Sequence, residues 1–147
     1  MKALIDTNVL VDVIQSREPF YSDSKRVFQL VIENKIEGYI SVQTLKDIFY
    51  ICKRSKIKKN PIETIEQIIF IFKIIDATGE DAISALMSDI EDFEDGMLVF
   101  SAQRNGIDTI ITRNEKDHYE SELTIIDPKE INQYLNTLVE TGSNIIG

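Results

Sequence analysis

The sequence is poor in residues that carry much of enzyme chemistry: its 147 residues include no tryptophan, one cysteine and one histidine. Cys52 cannot form an internal disulfide, which favours a reducing compartment, and we expect a cytoplasmic protein. A single histidine, His118, leaves no Cys/His cluster for zinc and argues against Ser–His or Cys–His nucleophilic catalysis. No apolar run reaches the ~18 residues of a membrane span, and Met1–Ala3 lead directly into structure-forming sequence. We therefore expect neither a membrane segment nor a signal peptide.

Positive charge is also scarce, because 16 Lys and Arg residues stand against 25 Asp and Glu residues and leave a formal net charge of −9. Such a chain lacks the broad basic face that binds nucleic acid non-specifically. It remains compatible with a nucleic-acid enzyme in which metal ions bridge an acidic site to phosphate. With 43% apolar and 28% charged residues, the composition predicts one soluble globular domain over 1–147. We expect a core over about 2–139 and a loosely ordered tail over 140–147.

Short apolar strands alternate with helices along the chain. The hydrophobic periodicity predicts strands over 2–5, 38–41, 74–77, 109–112 and 123–126. It predicts helices over 7–15, 21–34, 43–53, 61–73, 80–88, 93–105 and 128–139. This alternation indicates an α/β fold, a three-layer α/β/α arrangement with a central, mainly parallel sheet of four to five strands.

Four aspartates are predicted to meet at one edge of that sheet. Asp6 ends the first strand, and Asp47 lies near the start of the helix after the second strand. Asp95 lies near the start of the helix that leads into strand 109–112, and Asp117 follows that strand. Ligands bind at the carboxyl ends of parallel strands, and clustered carboxylates repel one another unless cations lie between them. Oxygen ligands without histidine or cysteine suit Mg²⁺ or Mn²⁺, so the pattern predicts metal-assisted phosphodiester hydrolysis.

Three segments carry a resemblance to a known family: LIDTNVLVD, SVQTLKDIFYI and DFEDGMLVFSAQRNGIDTIITRNEKDH. Together they resemble the signature blocks of the PIN domain family over roughly residues 2–127, and more narrowly its VapC-like toxin ribonucleases. The resemblance implies a PIN-like fold and a metal-dependent endoribonuclease for single-stranded RNA, using one or two Mg²⁺ or Mn²⁺ ions. It also implies a possible role as the toxin of a type II toxin–antitoxin pair.

The resemblance assigns the four catalytic and metal-binding acids to Asp6, Asp47, Asp95 and Asp117. Two positions depart from the family pattern: many members have glutamate at the position of Asp47, and His118 replaces the aromatic residue that often follows the fourth acid. The expected supporting residues around the acids are Thr7, Asn8, Asp92, Thr112 and Asn114.

Several acids also have simpler interpretations. Asp6 could be a helix N-cap, and Asp47 could be a solvated charge. Asp92 is three residues before Asp95, so we expect Asp92 to cap the helix while Asp95 reaches the metal. Asp12 should point away from Asp6. The remaining acids of this region are expected to be solvated charges, namely Glu80, Asp81, Asp89, Glu91 and Glu94.

The basic run 53–59 (KRSKIKK) has two interpretations, a solvated helix end or a patch that guides phosphate. The candidate RNA contacts are Lys53, Arg54, Arg104 and Arg113. The apolar run IIFIFKII (68–75) and the aromatic segment 49–51 are either core or a contact surface. As a surface they would suit a homodimer or an antitoxin segment.

Two other classes of function compete with the nuclease. The first is a catalytically silent PIN-like module that binds RNA or protein. The second is a receiver-type phosphoryl-transfer domain, which also clusters acids at strand ends, although the segment DTN lacks the second acid of a D-x-D motif.

Overall fold

A computed structural model gives the fold and describes residues 1–56, 59–114 and 122–146. These residues form five strands: β1 (Lys2–Ile5), β2 (Glu37–Ser41), β3 (Lys73–Ile75), β4 (Thr109–Ile111) and β5 (Thr124–Ile126). They also form seven α-helices: α1 (Thr7–Ile14), α2 (Tyr21–Ile32), α3 (Val42–Arg54), α4 (Pro61–Ile71), α5 (Gly79–Met87), α6 (Phe93–Arg104) and α7 (Ile131–Ile146). A 3₁₀ turn, Pro128–Glu130, precedes α7.

The five described strands form one parallel sheet in the order β3-β2-β1-β4-β5. The chain runs outward from β1 through β2 to β3 and then crosses to β4 on the other side of β1. The strand order therefore reverses between β1 and β4, the kind of position at which open α/β sheets bind ligands. The predicted parallel sheet is confirmed.

The central strand β1 is buried on both faces, since Ala3, Leu4 and Ile5 are at most 1% exposed. Side chains alternate across a strand, so Ala3 and Ile5 join one core while Leu4 joins the other. The first core is packed against α1, α2, α3, α4 and α7, and the second against α6. Helices thus cover both faces of the sheet, which confirms the three-layer α/β/α arrangement.

Several element boundaries differ from the sequence prediction by one or two residues, such as β3, which we expected over 74–77. Two of the differences have a clear local reason. Helix α3 begins at Val42, because the Ser41 hydroxyl caps it by accepting from the Thr44 backbone N–H at 3.2 Å. Helix α4 ends at Ile71, because Phe72 adopts an extended conformation. The Phe72 ring is buried and packs edge-on against Phe28, with ring centroids 5.1 Å apart.

The C-terminal end of the chain is helical where we expected a loosely ordered tail. Helix α7 runs on from Val139 to Ile146, which corrects the predicted helix end. The helix can continue through Gly142, since one interior glycine costs only about 1 kcal/mol of helix propensity. Within the described ranges, no helix has the length and apolar character to cross a membrane.

The apolar run 68–75 is divided between the core and the surface of the protein. Ile68, Phe72 and Ile75 are buried in the core, whereas Phe70 is 93% and Ile69 48% exposed. The run therefore contributes to the core and also presents an apolar outer face on α4.

Candidate active site

Asp6 lies at the reversal point between β1 and β4 and is held from three directions. Its Oδ1 accepts from the Thr7 backbone N–H at 2.8 Å and caps α1. Its Oδ2 accepts from the Thr112 hydroxyl at 2.8 Å and from the Asn8 amide at 3.4 Å. Asn8 also donates to the Thr112 hydroxyl oxygen at 3.2 Å. Asp6 is therefore a helix cap, as one interpretation held, and its carboxylate is oriented by the residue that follows β4.

A chain of hydroxyl groups extends from Asp6 towards α3. The hydroxyl oxygens of Thr7 and Thr44 are 2.9 Å apart, and those of Thr44 and Ser41 are 3.1 Å apart. Ser41 and Thr44 are both buried. Asp47 follows one turn later on α3 and accepts from the Gln43 side-chain amide at 3.2 Å. The start of α3 thus brings hydroxyl groups and a carboxylate to one wall of the cavity described below.

Asp95 comes from the first turn of α6 on the opposite wall. Asp92 caps this helix through a hydrogen bond from the Asp95 backbone N–H to Asp92 Oδ1, 3.0 Å long. Asp92 is therefore the helix cap that we expected, and Asp95 lines the cavity described next.

One cavity of about 320 Å³ brings these residues together. Its wall includes three of the four predicted acids, Asp6, Asp47 and Asp95. Of its lining residues in the described ranges, none carries a positive charge. Its other lining residues are Thr7, Ser41, Gln43, Thr44, Ala77, Phe93, Glu94, Met97, Leu98 and Ser101.

The donor chemistry of this cavity fits a hard divalent cation. Its donors are carboxylate and hydroxyl oxygens, the ligands that Mg²⁺ and Mn²⁺ prefer, and its described lining contains acidic residues but no basic one. Within residues 1–56, 59–114 and 122–146, no three acidic, histidine or cysteine side chains are gathered closely enough to form a metal-binding group by themselves. The fit therefore applies to an ion that keeps several waters and takes one or two carboxylates, as Mg²⁺ usually does. The fourth predicted acid, Asp117, and His118 lie outside the described residues.

Arg113, a predicted RNA contact, is turned towards the protein. Its Nε and Nη2 donate to the two carboxylate oxygens of Asp12 at 2.7 and 3.0 Å, and its guanidinium carbon lies 3.8 Å from the Phe20 ring centroid. Asp12 is completely buried and also accepts from the Ser24 hydroxyl at 2.9 Å. Asp12 points away from Asp6, as expected, and neither Arg113 nor Asp12 lines the acidic cavity.

Arg104 likewise has intramolecular partners. Its Nε donates to both oxygens of Asp81 at 3.2 Å, and its Nη2 donates to the Asp76 backbone carbonyl at 2.8 Å. Asp81 is 3% exposed, so the expectation of a solvated charge is wrong: it completes a capping box with Thr78. Burial raises the pKa of Asp81, but hydrogen bonds from Arg104, the Thr78 backbone and Ser101 outweigh it and lower that pKa below its ordinary value.

The remaining predicted residues are distributed around the site. Thr112 is buried against Asp6 as described, and the Asn114 backbone N–H donates to the Thr112 hydroxyl oxygen at 3.0 Å. Arg54 lines a second cavity that adjoins the acidic one, whereas Lys53 is exposed and lines neither.

Sequence reasoning missed several lining residues. Ser41 and Thr44 were visible as an S-x-x-T pair directly after a predicted strand, the spacing of a helix cap. Glu94 was taken for a solvated charge, although it is adjacent to Asp95 on the first turn of α6. Ser101 carried no local signal, because it reaches the cavity only through the packing of α6.

Fold and site together define a class: an α/β/α protein with an oxygen-lined, acidic cavity at the carboxyl edge of a parallel sheet. A model of the PIN domain family matches residues 2–116. The chain belongs to the PIN domain family, and the resemblance of the three sequence blocks is confirmed.

Relatives with known names share this fold. Ribonuclease VapC1 of Aquifex aeolicus (strain VF5) is 27% identical over 142 residues, covering 93% of this chain and 97% of that protein. VapBC2 from Rickettsia felis, crystallised with a DNA fragment from its promoter, superposes with a TM-score of 0.64 at 19% identity, covering 86% of this chain and 98% of that one. Mycobacterium tuberculosis VapC20, a sarcin-ricin loop cleaving toxin, superposes with a TM-score of 0.62 at 11% identity, covering 81% of this chain and 95% of that one. At such identities the two structures establish the fold.

Proposed function

We propose that this protein is a metal-dependent endoribonuclease that hydrolyses single-stranded RNA, and that it acts as the toxin of a type II toxin–antitoxin pair. One observation carries the proposal: Asp6, Asp47 and Asp95, from distant parts of the chain, line one cavity that has no basic residue among its described lining. The names of the relatives support it, since one is a ribonuclease and another is a sarcin-ricin loop cleaving toxin.

The proposal gives a role to the three aspartates of the wall and to two residues behind Asp6. Asp6, Asp47 and Asp95 would hold one or two Mg²⁺ or Mn²⁺ ions, together with Asp117, which the family resemblance assigns. When bound, such an ion polarises a phosphoryl oxygen and makes a bound water more acidic. Thr112 and Asn8 fix the Asp6 carboxylate through their hydrogen bonds, the type of outer contact that orients a metal ligand.

Cleavage of defined single-stranded RNAs in Mg²⁺, Mn²⁺ or chelator tests the proposal. Asp95→Asn should reduce the cleavage rate by more than the roughly 10–100-fold that loss of an outer-sphere contact costs, because a direct ligand is lost. Asp89→Asn removes an exposed charge of the same kind just before α6 and serves as the matched control. Equal cleavage by both variants, or full activity in chelator, would refute the mechanism. RNA binding without cleavage would favour the silent module.

Metal binding can be tested apart from activity. Titration calorimetry with Mn²⁺ should show binding to the wild type and weaker binding to Thr112→Val, by about 10–100-fold, because the hydroxyl that orients Asp6 is removed. Thr137→Val on the exposed part of α7 is the control for loss of a threonine hydroxyl. Equal Mn²⁺ affinity for both variants would exclude Thr112 from this role.

The apolar outer face of α4 supports the proposed partners, a second copy of the chain and an antitoxin segment. Phe70 is almost fully exposed beside Ile69 on that face, and exposed apolar patches commonly mark contact surfaces. Light scattering should give the mass of a dimer, and Phe70→Glu should lower that mass. A wild-type protein that is monomeric and does not bind the product of the neighbouring gene would contradict both partners.

A further inference from the structure

A second cavity adjoins the acidic cavity and shares Thr7 and Asp47 with it. Its volume is about 390 Å³, and its remaining lining residues, Tyr50, Ile51 and Arg54, all come from the second half of α3. Because the two cavities share wall residues, this part of α3 extends the surface of the acidic cavity.

The second cavity differs from the first in its chemistry. The Tyr50 side chain is 45% exposed, and its ring is supported by Phe49, with ring centroids 5.7 Å apart and planes at 83°. The Arg54 guanidinium carbon lies 5.9 Å from the Tyr50 ring centroid. The second cavity thus presents the exposed Tyr50 ring and the Arg54 cation, and it lies next to the acidic cavity.

Arg54 also differs from the other two arginines considered as RNA contacts. Arg104 and Arg113 are engaged by buried aspartates, whereas none of the ion pairs found among the described residues involves Arg54. Lys53 is equally exposed but lines neither cavity. The structure therefore separates two basic neighbours that the sequence presents as equivalent.

We propose that this second cavity is a nucleotide subsite for single-stranded RNA, in which Tyr50 stacks against an unpaired base and Arg54 binds the adjoining phosphate. The proposal rests on the proposed function, because it takes the acidic cavity as the place of the scissile phosphate. Aromatic rings bind bases of any sequence by stacking, and a basic side chain tracks the backbone. Arg54 supplies the positive charge that an acidic site needs to retain a neighbouring phosphate.

This assignment implies a requirement for unpaired RNA. A base can lie against Tyr50 only when it has left a duplex, since bases inside an A-form helix are stacked on one another. The subsite would therefore select single strands, loops or ends by stacking rather than by reading base edges.

Binding measurements in an Asp6→Asn background test the subsite while keeping the RNA intact. The probe is an unstructured RNA of about ten nucleotides, labelled for fluorescence anisotropy and carrying 2-aminopurine at one position after another. In the parent protein, 2-aminopurine fluorescence should be quenched at the one RNA position that stacks on Tyr50. Tyr50→Ala should weaken RNA binding about tenfold and abolish this quench, whereas Tyr50→Phe should retain the affinity and the quench. Arg54→Gln should lower the slope of log affinity against log salt by about 0.7.

The chain offers a matched control on another helix. Tyr21 on α2 has Lys25 Nζ 5.5 Å from its ring centroid, a similar ring–cation pair, and neither residue lines the two cavities. Tyr21→Ala and Lys25→Gln should leave affinity, quench and salt slope unchanged. Urea unfolding of every variant shows whether the fold is kept, and the salt slope of Arg54→Gln retains the test if Tyr50→Ala does not fold.

The outcomes distinguish the subsite from the nuclease. If Arg54→Gln has the salt slope of the Asp6→Asn parent and Tyr50→Ala has the affinity and quench of Tyr21→Ala, the subsite is refuted and the nuclease is unaffected. If Tyr50→Ala and Arg54→Gln lose only the binding of a partner protein, the surface is a protein interface and the RNA assignment is wrong. If the Asp6→Asn parent still cleaves RNA, the proposed mechanism fails independently of the binding results.

Discussion

Replacing Asp12 by alanine should destabilise the protein more than any change of a surface charge. Asp12 is completely buried and binds both Arg113 and Ser24. The Asp12→Ala variant leaves the Arg113 guanidinium, whose side chain is 19% exposed, without its counter-ion. It also leaves the buried Ser24 hydroxyl without its acceptor.

The size of the effect follows from this geometry. Removal of one partner of a buried ion pair typically costs about 3–5 kcal/mol, because the remaining charge stays desolvated. A domain of this length has a total unfolding free energy of roughly 7–20 kcal/mol, so the loss is a substantial fraction of it. With a urea dependence of about 2 kcal/mol per molar, the unfolding midpoint should fall by about 2 M.

Urea unfolding followed by circular dichroism provides the assay. Glu66→Ala removes an exposed carboxylate from the middle of α4 and should change the unfolding free energy by no more than about 0.5 kcal/mol. The double variant Asp12→Ala/Arg113→Ala removes both charges and should cost less than the sum of the two single changes. A midpoint for Asp12→Ala equal to that of Glu66→Ala, or strictly additive effects, would refute the argument.

Two further predictions concern stability. Hydrogen bonds from Lys73 and, to a smaller extent, Tyr39 lower the pKa of Glu37 from 4.5 to about 2. The contribution of Glu37 to the unfolding free energy is therefore complete above about pH 4.5 and is lost as the pH falls towards 2. Glu37→Gln should make the urea midpoint fall less steeply between these pH values, whereas Glu66→Gln should leave that fall unchanged. Gly96 lies where α5 and α6 touch, since an added Cβ would be 3.0 Å from Ala85 Cβ. Gly96→Val should therefore lower the unfolding free energy by about 1–3 kcal/mol in the same assay, whereas a value equal to the wild type would contradict that close approach.

The strands and the common edge could be predicted from the sequence because they depend on local pattern and topology. Ala3–Leu4–Ile5 is an uninterrupted apolar run, as expected of a strand buried on both faces. The positions of Asp6, Asp47 and Asp95 relative to strands and helix starts were sufficient to predict one shared cavity, whose wall contains all three.

The partners of the arginines could not be predicted in the same way. Asp81 is adjacent to Glu80 in a stretch that resembles a solvated helix start, and its burial depends on Ser101 and Arg104, which are 20 and 23 residues away in sequence. Asp12 offered a weak signal, since it lies inside the apolar segment VLVDVI, but its partner Arg113 is 101 residues away. Long-range pairing of this kind leaves no periodicity in the sequence.

These two ion pairs explain how an acidic cavity can be rigid without basic residues in its described wall. Asp12 holds Arg113, whose backbone N–H donates to Asn8 at 3.3 Å, and Asn8 in turn contacts Asp6. On the other wall, Asp81 binds both Ser101 and Arg104 of α6, the helix that carries Asp95. The two arginines therefore bind elements behind the cavity and do not neutralise its carboxylates, and under the proposed function this negative charge would attract the metal ion. Under the same proposal, the positive charge that binds the substrate would come from beside the cavity, where Arg54 lies.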